Sequence, residues 1–187
     1  QDVADAAGGA AFVAAATEVL GGLDIVVANA GGPPPGTFAS TPLEAYEPAL
    51  DLNLLSVVGM AKAAIPAMQQ QRWGRFVAIT SVSVRQPIPT IILSNTSRAG
   101  VTGFLKTVAR EVAPDGVTVN TVQPGLHATD RALQLGDPSA MAAGIPVGAL
   151  GDPADFGAIV TFLCSEQSKF VTGLQLHVDG GTYGGLQ

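Results

Sequence analysis

Apolar runs that end in glycine or hydroxyl residues alternate with helix-like segments along the whole chain. Four such runs are DIVVANAGG, GRFVAITSVS, GVTVNTVQPG and GLQLHVDGG. A strand that is apolar at successive positions is typical of a parallel sheet covered by helices. We therefore predict an α/β fold with a doubly wound parallel sheet and helices on both faces. Ligands bind at the carboxyl ends of the strands in such sheets, where small and polar residues collect in this chain.

Helical segments separate these strands. The first, GGAAFVAAATEVLGG, is rich in alanine and ends in two glycines, which are typical helix stops. A long apolar helical region follows from about Leu43 to Gln71, with a break expected near Asp51 to Asn53. Thr41 is predicted to cap this region as part of a capping box. A third helix is expected from Thr90 to about Ala113, and Asp152 is expected to begin a further one.

Composition narrows the class of protein. The chain has 187 residues, 47% hydrophobic and 13% charged, with a formal net charge of −6. These values predict a single domain over residues 1–187 with a sizeable core, and they exclude a disordered chain. The acidic balance offers no basic surface for nucleic acid. The longest apolar run is broken by Lys62 and Pro66, so we expect no membrane partner.

The cysteine content indicates a reducing compartment. Cys164 is the single cysteine and cannot form an internal disulfide, so we expect a cytoplasmic protein. It lies in an apolar helix-like run, which predicts core filling rather than a nucleophile. No cluster of Cys and His residues has the spacing of metal ligands, so no metal site is predicted.

The order and spacing of several short motifs resemble the short-chain dehydrogenase/reductase family, closest to its 3-oxoacyl-carrier-protein reductase branch. The motifs are DV at the N-terminus, NAG, LNLLSVV, GRFVAITSVS, VTVNTVQPG and TGLQLHVDGG. The resemblance covers essentially the whole chain. It implies a Rossmann-like fold that uses NAD or NADP to interconvert a small carbonyl compound and a secondary alcohol. It also implies a homodimer or homotetramer.

The resemblance also implies which residues form the site. The residues implied to contact the cofactor are Asp2, Val3, Asn29, Ala30, Gly31, Arg98, Pro124, Gly125 and Thr129. The residues implied to be catalytic are Asn53, Ser81, Ser94 and Arg98. In the family, serine polarises the carbonyl oxygen and asparagine anchors a water that relays protons.

Two of these catalytic positions depart from the family's pattern. The family keeps a tyrosine and a lysine four residues apart on a helix. Ser94, 13 residues after Ser81, and Arg98 occupy these positions here, and the chain's two tyrosines lie elsewhere. Serine is a much weaker acid than a phenol, and arginine cannot act as a base. Arg98 could still bind the ribose or stabilise a developing alkoxide, and the proton could come from water or from His127.

Each candidate also has a purely structural interpretation. Ser81 could be only a strand-end hydroxyl, and Asn53 could bond the backbone at the helix break. Ser94 could be only an N-cap, and Arg98 could pair with a surface carboxylate. His177 alternates within LQLHV and is expected to be structural. Three functions therefore stay open: an oxidoreductase, a catalytically impaired nucleotide-binding or regulatory member, and a structural subunit of a hetero-oligomer.

A second departure concerns the start of the family's pattern. The family opens with a strand, a glycine-rich phosphate-binding turn and a helix, for which this sequence has no counterpart. Without them, DIVVAN would form an apolar sheet edge with no charge or proline to protect it. We therefore expect that the chain is part of a longer product and that its N-terminal strands are missing. The segment Leu126 to Leu150 is expected to form a mobile loop or short helices.

Overall fold

The computed structural model describes residues 2–134 and 136–186, and a four-stranded sheet lies at their centre. Its strands are β1 (Ile25–Ala28), β2 (Gly74–Ile79), β3 (Val117–Pro124) and β4 (Gln175–Val178). They lie in the order β1–β2–β3–β4, and every neighbouring pair is parallel. The predicted parallel sheet is confirmed. β1 is an edge strand, and its Ile25 and Val27 are more than two-fifths exposed.

Helices cover both faces of this sheet, as predicted. They are α1 (Ala6–Leu20), α2 (Tyr46–Leu50), α3 (Ser56–Gln70), α4 (Ile92–Val112), α5 (Asp130–Leu133), α6 (Pro138–Ala142) and α7 (Pro153–Leu163). On one face, α1, α3 and α4 enclose a core that contains Phe76, Leu105 and Val119. On the other face, α7 packs Leu163 against Val77 and Val122. The short helices α5 and α6 lie in the segment for which a loop or short helices were expected.

Close packing of α1 against α3 depends on a glycine. Asp5 caps α1, and its side chain accepts a hydrogen bond of 2.7 Å from the Gly8 amide. A Cβ atom added to Gly59 of α3 would lie 2.1 Å from the carbonyl oxygen of Ala6. Only a residue without a side chain allows this approach between the two helices.

The long apolar region is helical, with an interruption where a break was expected. A 3₁₀ turn at Leu43–Ala45 leads into α2, and a π turn at Asp51–Leu55 separates α2 from α3. The predicted cap at Thr41 is wrong. Pro42 occupies the N-cap position, no side chain caps this turn, and the Thr41 hydroxyl is buried without a hydrogen-bond partner among the described residues.

The length of this region is the one that the sequence predicted, from about Leu43 to Gln71. Leu43–Gln70 is a helical run of 28 residues, long and apolar enough by length and composition to cross a membrane. Half of its most apolar window is buried inside the fold, and Met60, Ala64 and Met68 belong to the core. The packing is that of a core helix.

The single cysteine is a core residue, as predicted. Cys164 packs against the cluster of Val77, Val122 and Leu163. Burial raises the pKa of its thiol, and the positive charge of Arg75 offsets part of this effect. Because the thiolate is the nucleophilic form, a raised pKa makes this thiol less reactive at neutral pH.

Arg75 is the largest fully buried side chain in the described structure, with 1% of its surface exposed. Its Nε donates to the carbonyl oxygen of Ser165 at 3.1 Å, and its Nη1 donates to that of Gly74 at 2.9 Å. Its Nη2 lies 4.0 Å from the carboxylate of Glu166, and its guanidinium stacks over Trp73 at 4.4 Å. This arginine therefore ties β2 to the turn that follows α7.

Two buried polar side chains lie opposite each other on β3 and β4. Gln123 is 0% exposed and His177 is 8% exposed, and the two are register partners. Neither the amide of Gln123 nor the ring nitrogens of His177 have a hydrogen-bond partner among the described residues. His177 also stacks on Tyr183 with ring centroids 4.7 Å apart, in keeping with its expected structural role.

We expect Gln123→Leu to raise the free energy of unfolding by about 1 kcal/mol, because it removes two buried amide atoms that lack partners. Urea denaturation measures this difference. Asn120→Leu is the matched control on the same strand. Its amide donates to Val171 at 2.8 Å and accepts from Leu174 at 3.0 Å, so the same change should destabilise the fold. Equal destabilisation by both variants would contradict the prediction.

Candidate active site

The carboxyl ends of β1, β2 and β3 meet at a cleft of about 410 Å³. Asn29 lines it from the end of β1, Ile79 from β2 and Pro124 from β3. Thr129 and Phe156 line it from the segment after β3 and from α7. Four of the predicted cofactor-binding residues, Asn29, Pro124, Gly125 and Thr129, therefore lie around one cavity.

The turn after β3 is held in place by backbone and side-chain hydrogen bonds. The Gly125 amide donates to the carbonyl oxygen of Val178 at 2.9 Å. A Cβ atom at Gly125 would lie 2.8 Å from the Cα atom of Asp179, so only glycine fits there. Thr129 caps α5, and its hydroxyl accepts from the Ala132 amide at 3.3 Å. Together these contacts fix the side of the cleft that β3 contributes.

The loop after β1 contacts two of the predicted catalytic residues directly. The carbonyl oxygen of Ala30 accepts a hydrogen bond of 3.4 Å from Arg98, and that of Gly31 accepts one of 2.7 Å from Asn53. A Cβ atom at Gly31 would meet nothing within 4 Å, so the space over this glycine is open. The arrangement leaves room for a ligand to approach the backbone of the loop.

Arg98 joins the ends of β1 and β2. Besides its bond to Ala30, its Nη1 donates to the carbonyl oxygens of Ile79 at 2.9 Å and Thr80 at 3.1 Å. Burial lowers the pKa of its guanidinium, and the nearby charge of Arg131 lowers it further. The alternative that Arg98 pairs with a surface carboxylate is wrong for residues 2–134 and 136–186, where its partners are carbonyl groups. Its contact with a cofactor stays a prediction.

Asn53 lies in the π turn and is 3% exposed. Because the Gly31 carbonyl can only accept, the amide nitrogen of Asn53 must face it, and this orients the side chain. The amide oxygen of Asn53 has no hydrogen-bond partner in the described part of the chain. A buried acceptor without a partner can hold a water molecule, which is the role that the family resemblance implies.

Ser81 follows β2, and its contacts are compatible with both the structural and the catalytic interpretation. It is the N-cap of a 3₁₀ turn at Val82–Val84, and its hydroxyl oxygen accepts from the Ser83 amide at 3.1 Å. A serine hydroxyl has one donor and two acceptor positions, so the hydrogen of Ser81 is still available to another acceptor. The backbone contact therefore orients Ser81 without using its donor.

Ser94 lies inside the first turn of α4, one turn before Arg98. The helix begins at Ile92, and Ile91 is its N-cap, so the alternative that Ser94 caps the helix is wrong. Ser94 is 8% exposed, and its hydroxyl forms no hydrogen bond with the described residues. Its environment is therefore confined and contains no partner that would activate it.

His127 contacts the cleft, but its ring is engaged by the backbone. Its Nδ1 lies 3.1 Å from the carbonyl oxygen of Gly125, and its ring meets Phe156 edge-on at 4.9 Å. Since a carbonyl only accepts, Nδ1 carries the hydrogen, and Nε2 of the neutral ring is then an acceptor. A role as proton donor stays a prediction, and it requires the doubly protonated ring.

Five of the predicted cofactor-binding residues do not line this cavity: Ala30, Gly31 and Arg98, whose contacts are given above, and Asp2 and Val3. Asp2 and Val3 precede α1, and the Asp2 carboxylate accepts from the Ala4 amide at 3.0 Å. Val3 packs against the core on the α1 side of the sheet. Neither residue lines the cleft at the strand ends. Their contact with a cofactor stays a prediction.

The residues at the site that were not predicted from the sequence include Phe156 and Arg131. Phe156 lines the cleft from α7. The guanidinium of Arg131 lies about 3.9 Å from the position that a Cβ atom of Gly32 would take. A signal for Arg131 is present in the sequence, because it is the only lysine or arginine between Leu126 and Leu150.

Comparisons with known proteins agree with this architecture. A family model described as enoyl-(acyl carrier protein) reductase matches residues 1–183. The chain is 38% identical over 175 residues to the 3-oxoacyl-[acyl-carrier-protein] reductase FabG of Vibrio cholerae, covering 92% of this chain and 72% of that protein. It is 34% identical over 176 residues to the human dehydrogenase/reductase SDR family member 4, covering 91% of this chain and 63% of that protein.

Solved structures show the same similarity. The crystal structure of YwfH, an NADPH-dependent reductase involved in bacilysin biosynthesis, superposes with a TM-score of 0.94 at 26% identity, over 100% of this chain and 77% of that one. The structure of ElxO with NADP bound superposes with a TM-score of 0.90 at 27% identity, over 97% and 76% of the two chains.

Proposed function

This chain belongs to the short-chain dehydrogenase/reductase family, and we propose that it is an NAD- or NADP-dependent oxidoreductase acting on a carbonyl or secondary alcohol of the 3-oxoacyl type. One observation carries the proposal. Arg98 and Asn53 bond the adjacent carbonyls of Ala30 and Gly31, next to a cleft of about 410 Å³ that the strand ends line. Two predicted catalytic residues therefore bond the same loop, which itself carries predicted cofactor-binding residues.

The residues present fit a nicotinamide cofactor. The open space over Gly31 and the cleft beyond Asn29 provide room for it, and the donors of Arg98 suit its ribose hydroxyls. Residues proposed to hold it are Asp2, Val3, Asn29, Ala30, Gly31, Arg98, Pro124, Gly125 and Thr129. When bound, the nicotinamide supplies or accepts the hydride.

The remaining chemistry falls to four side chains. The hydroxyl hydrogen of Ser81 donates to the substrate carbonyl oxygen, because its Oγ already accepts from the Ser83 amide. The fixed positive charge of Arg98 stabilises the oxygen as it becomes negative. The amide oxygen of Asn53, which has no partner among the described residues, holds the water that delivers the proton, with Ser94 beside this path.

Ser81→Ala is expected to lower kcat/KM for NADPH-dependent reduction of a 3-oxoacyl thioester about 100-fold, since it removes one donor to the developing oxyanion. The assay follows NADPH and NADH oxidation with a panel of ketones and 3-oxoacyl thioesters. Ser83→Ala is the matched control, because it removes a neighbouring hydroxyl that bonds no described residue. Equal rates for the parent and Ser81→Ala would exclude the assigned role.

One observation favours a second candidate, a nucleotide-binding member with impaired catalysis. The buried hydroxyl of Ser94 has no bonding partner among the described residues, and Arg98 cannot take up a proton. The same assay separates the two functions when it is paired with NADPH fluorescence. Binding without oxidation across the whole panel would establish the second candidate, and turnover would exclude it.

The assembly is proposed to be a cytoplasmic homodimer or homotetramer. A cavity of about 230 Å³ between α3 and α4 is lined by Ile65, Pro66, Phe104 and Val108. Ile65 belongs to the core, but Pro66 is exposed and Phe104 and Val108 are half-buried, so a second copy could cover these three residues. The family resemblance supports the same arrangement, and the Ser81→Ala comparison is best made at a concentration where the oligomer is complete.

A further inference from the structure

We propose that Arg98 and Arg131 form a two-arginine site for an oxyanion beside the loop after β1. The oxyanion would be a carboxylate of the substrate or the diphosphate of the cofactor. The inference deepens the proposed function and rests on it for the identity of these two ligands. The binding chemistry itself depends only on the two guanidinium groups.

The two arginines reach the same short loop from different helices. Arg98 of α4 donates to the Ala30 carbonyl at 3.4 Å. The Nη2 and Nη1 atoms of Arg131 in α5 lie 3.9 and 4.0 Å from the Cβ position at Gly32. The intervening Gly31 has open space above it. A small anion over this loop would therefore have a guanidinium within reach from each helix.

Both arginines have donors to spare. Three of the five N–H groups of Arg98 donate to carbonyl oxygens, which leaves two. Arg131 is exposed and forms no hydrogen bond with the described residues, so all five of its donors are available. A guanidinium presents paired donors that match the two oxygens of a carboxylate or phosphate.

In the described part of the chain, no carboxylate forms an ion pair with Arg98 or Arg131. Within residues 2–134 and 136–186, the ion pairs are Arg72–Asp115 and Arg75–Glu166. Asp130 precedes Arg131, yet its carboxylate is not within the 4.0 Å that defines an ion pair. Arg131 is near enough to Arg98 to lower the pKa of its guanidinium, after the larger effect of burial. An anion that binds both would relieve this repulsion.

The positive charge of these two arginines contrasts with the net negative charge of the whole chain. The chain carries 15 acidic residues against nine lysines and arginines. This pair of arginines beside the cleft is therefore a local positive region on an acidic protein. Such a region attracts and orients anionic ligands, and it disfavours cationic ones.

Isothermal titration calorimetry with pyrophosphate and, separately, with malonate tests the site without any turnover. We expect Arg131→Gln to weaken the binding of at least one of these anions about tenfold or more. Arg131→Lys should recover part of the affinity, because lysine keeps the charge but not the paired donors. Arg110→Gln, an exposed arginine in the last turn of α4, makes the same change in net charge and should alter affinity less than about twofold.

Two further measurements distinguish the cofactor diphosphate from a substrate carboxylate as the natural anion. Parallel weakening of pyrophosphate and NADPH binding by Arg131→Gln would assign the site to the cofactor diphosphate. Weakening of malonate binding alone, with a higher KM for a keto acid but not for its amide, would assign it to a substrate carboxylate. Melting temperatures of all variants verify that the fold is retained.

Two results would overturn the proposal. One is equal weakening by Arg131→Gln and Arg110→Gln, which would reflect net charge alone. The other is the failure of the parent protein to bind either anion at millimolar concentration. A parent that binds malonate but never oxidises NADPH would instead refute the proposed function and leave the anion site standing.

Discussion

Replacing Arg98 by methionine is expected to lower kcat/KM for the NADPH-dependent reaction about 100-fold to 1000-fold. Methionine keeps most of the apolar stem but has no N–H donor. The carbonyls of Ile79, Thr80 and Ala30 then lose their shared partner, and the oxygen of the reacting group loses its nearby positive charge. NADPH affinity should fall as well, because the same guanidinium holds the loop after β1.

Two controls make this expectation specific. Arg98→Lys keeps the charge but cannot reach three carbonyls with a fork of donors, so its activity should lie between those of the parent and Arg98→Met. Arg110→Met makes the same substitution at an exposed position of α4 and should leave kcat/KM within about twofold. Full activity and full NADPH affinity in a folded Arg98→Met protein would refute the role assigned to Arg98.

Replacing Arg75 by methionine is expected to lower the free energy of unfolding by about 3–5 kcal/mol, because each buried carbonyl left without its donor costs about 1–3 kcal/mol. For a chain of this length, that corresponds to a fall in Tm of about 6–20 °C. Arg75 is 1% exposed, so the carbonyls of Ser165 and Gly74 lose a donor in a place that water does not reach. Glu166 loses its cation at the same time, but its side chain is 68% exposed, so this part of the loss is small.

Arg72→Met is the matched surface substitution. Arg72 pairs with Asp115 at 2.8 Å, but its side chain is 67% exposed, and exposed ion pairs contribute less than about 1 kcal/mol. Urea denaturation of the two variants compares their free energies of unfolding directly. A similarly small loss of unfolding free energy in both variants would contradict the stabilising role assigned to the buried hydrogen bonds of Arg75.

The features that the sequence predicted correctly are mainly local in their causes. Apolar runs with glycine stops locate the strand ends, and the family resemblance implied cofactor contacts for Asn29, Pro124, Gly125 and Thr129, which line one cleft in the structure. The break in the long helix was likewise indicated by the polar residues around Asn53. Helix N-caps were harder to predict. A shift of one or two residues in the start of a helix decides whether a side-chain hydroxyl can accept from an unpaired backbone amide.

The partners of the site residues could not be predicted, because they are distant in sequence. Arg98 bonds Ala30, 68 residues away, and Asn53 bonds Gly31, 22 residues away. Hydrogen-bonding partners of this kind depend on how the helices pack against the sheet, which a periodicity does not specify. The same holds for Arg131, whose position over Gly32 follows from the short helix that Thr129 caps.

The arginine at the ends of β1 and β2 also affects how the reaction would respond to alkaline solution. A lysine or a phenol in its place would lose its proton as the pH rises, and the potential at the reacting oxygen would change with it. A guanidinium stays charged throughout the range in which proteins work. The electrostatic contribution proposed for Arg98 would therefore be constant, and any change in a pH–rate profile would report groups other than this residue.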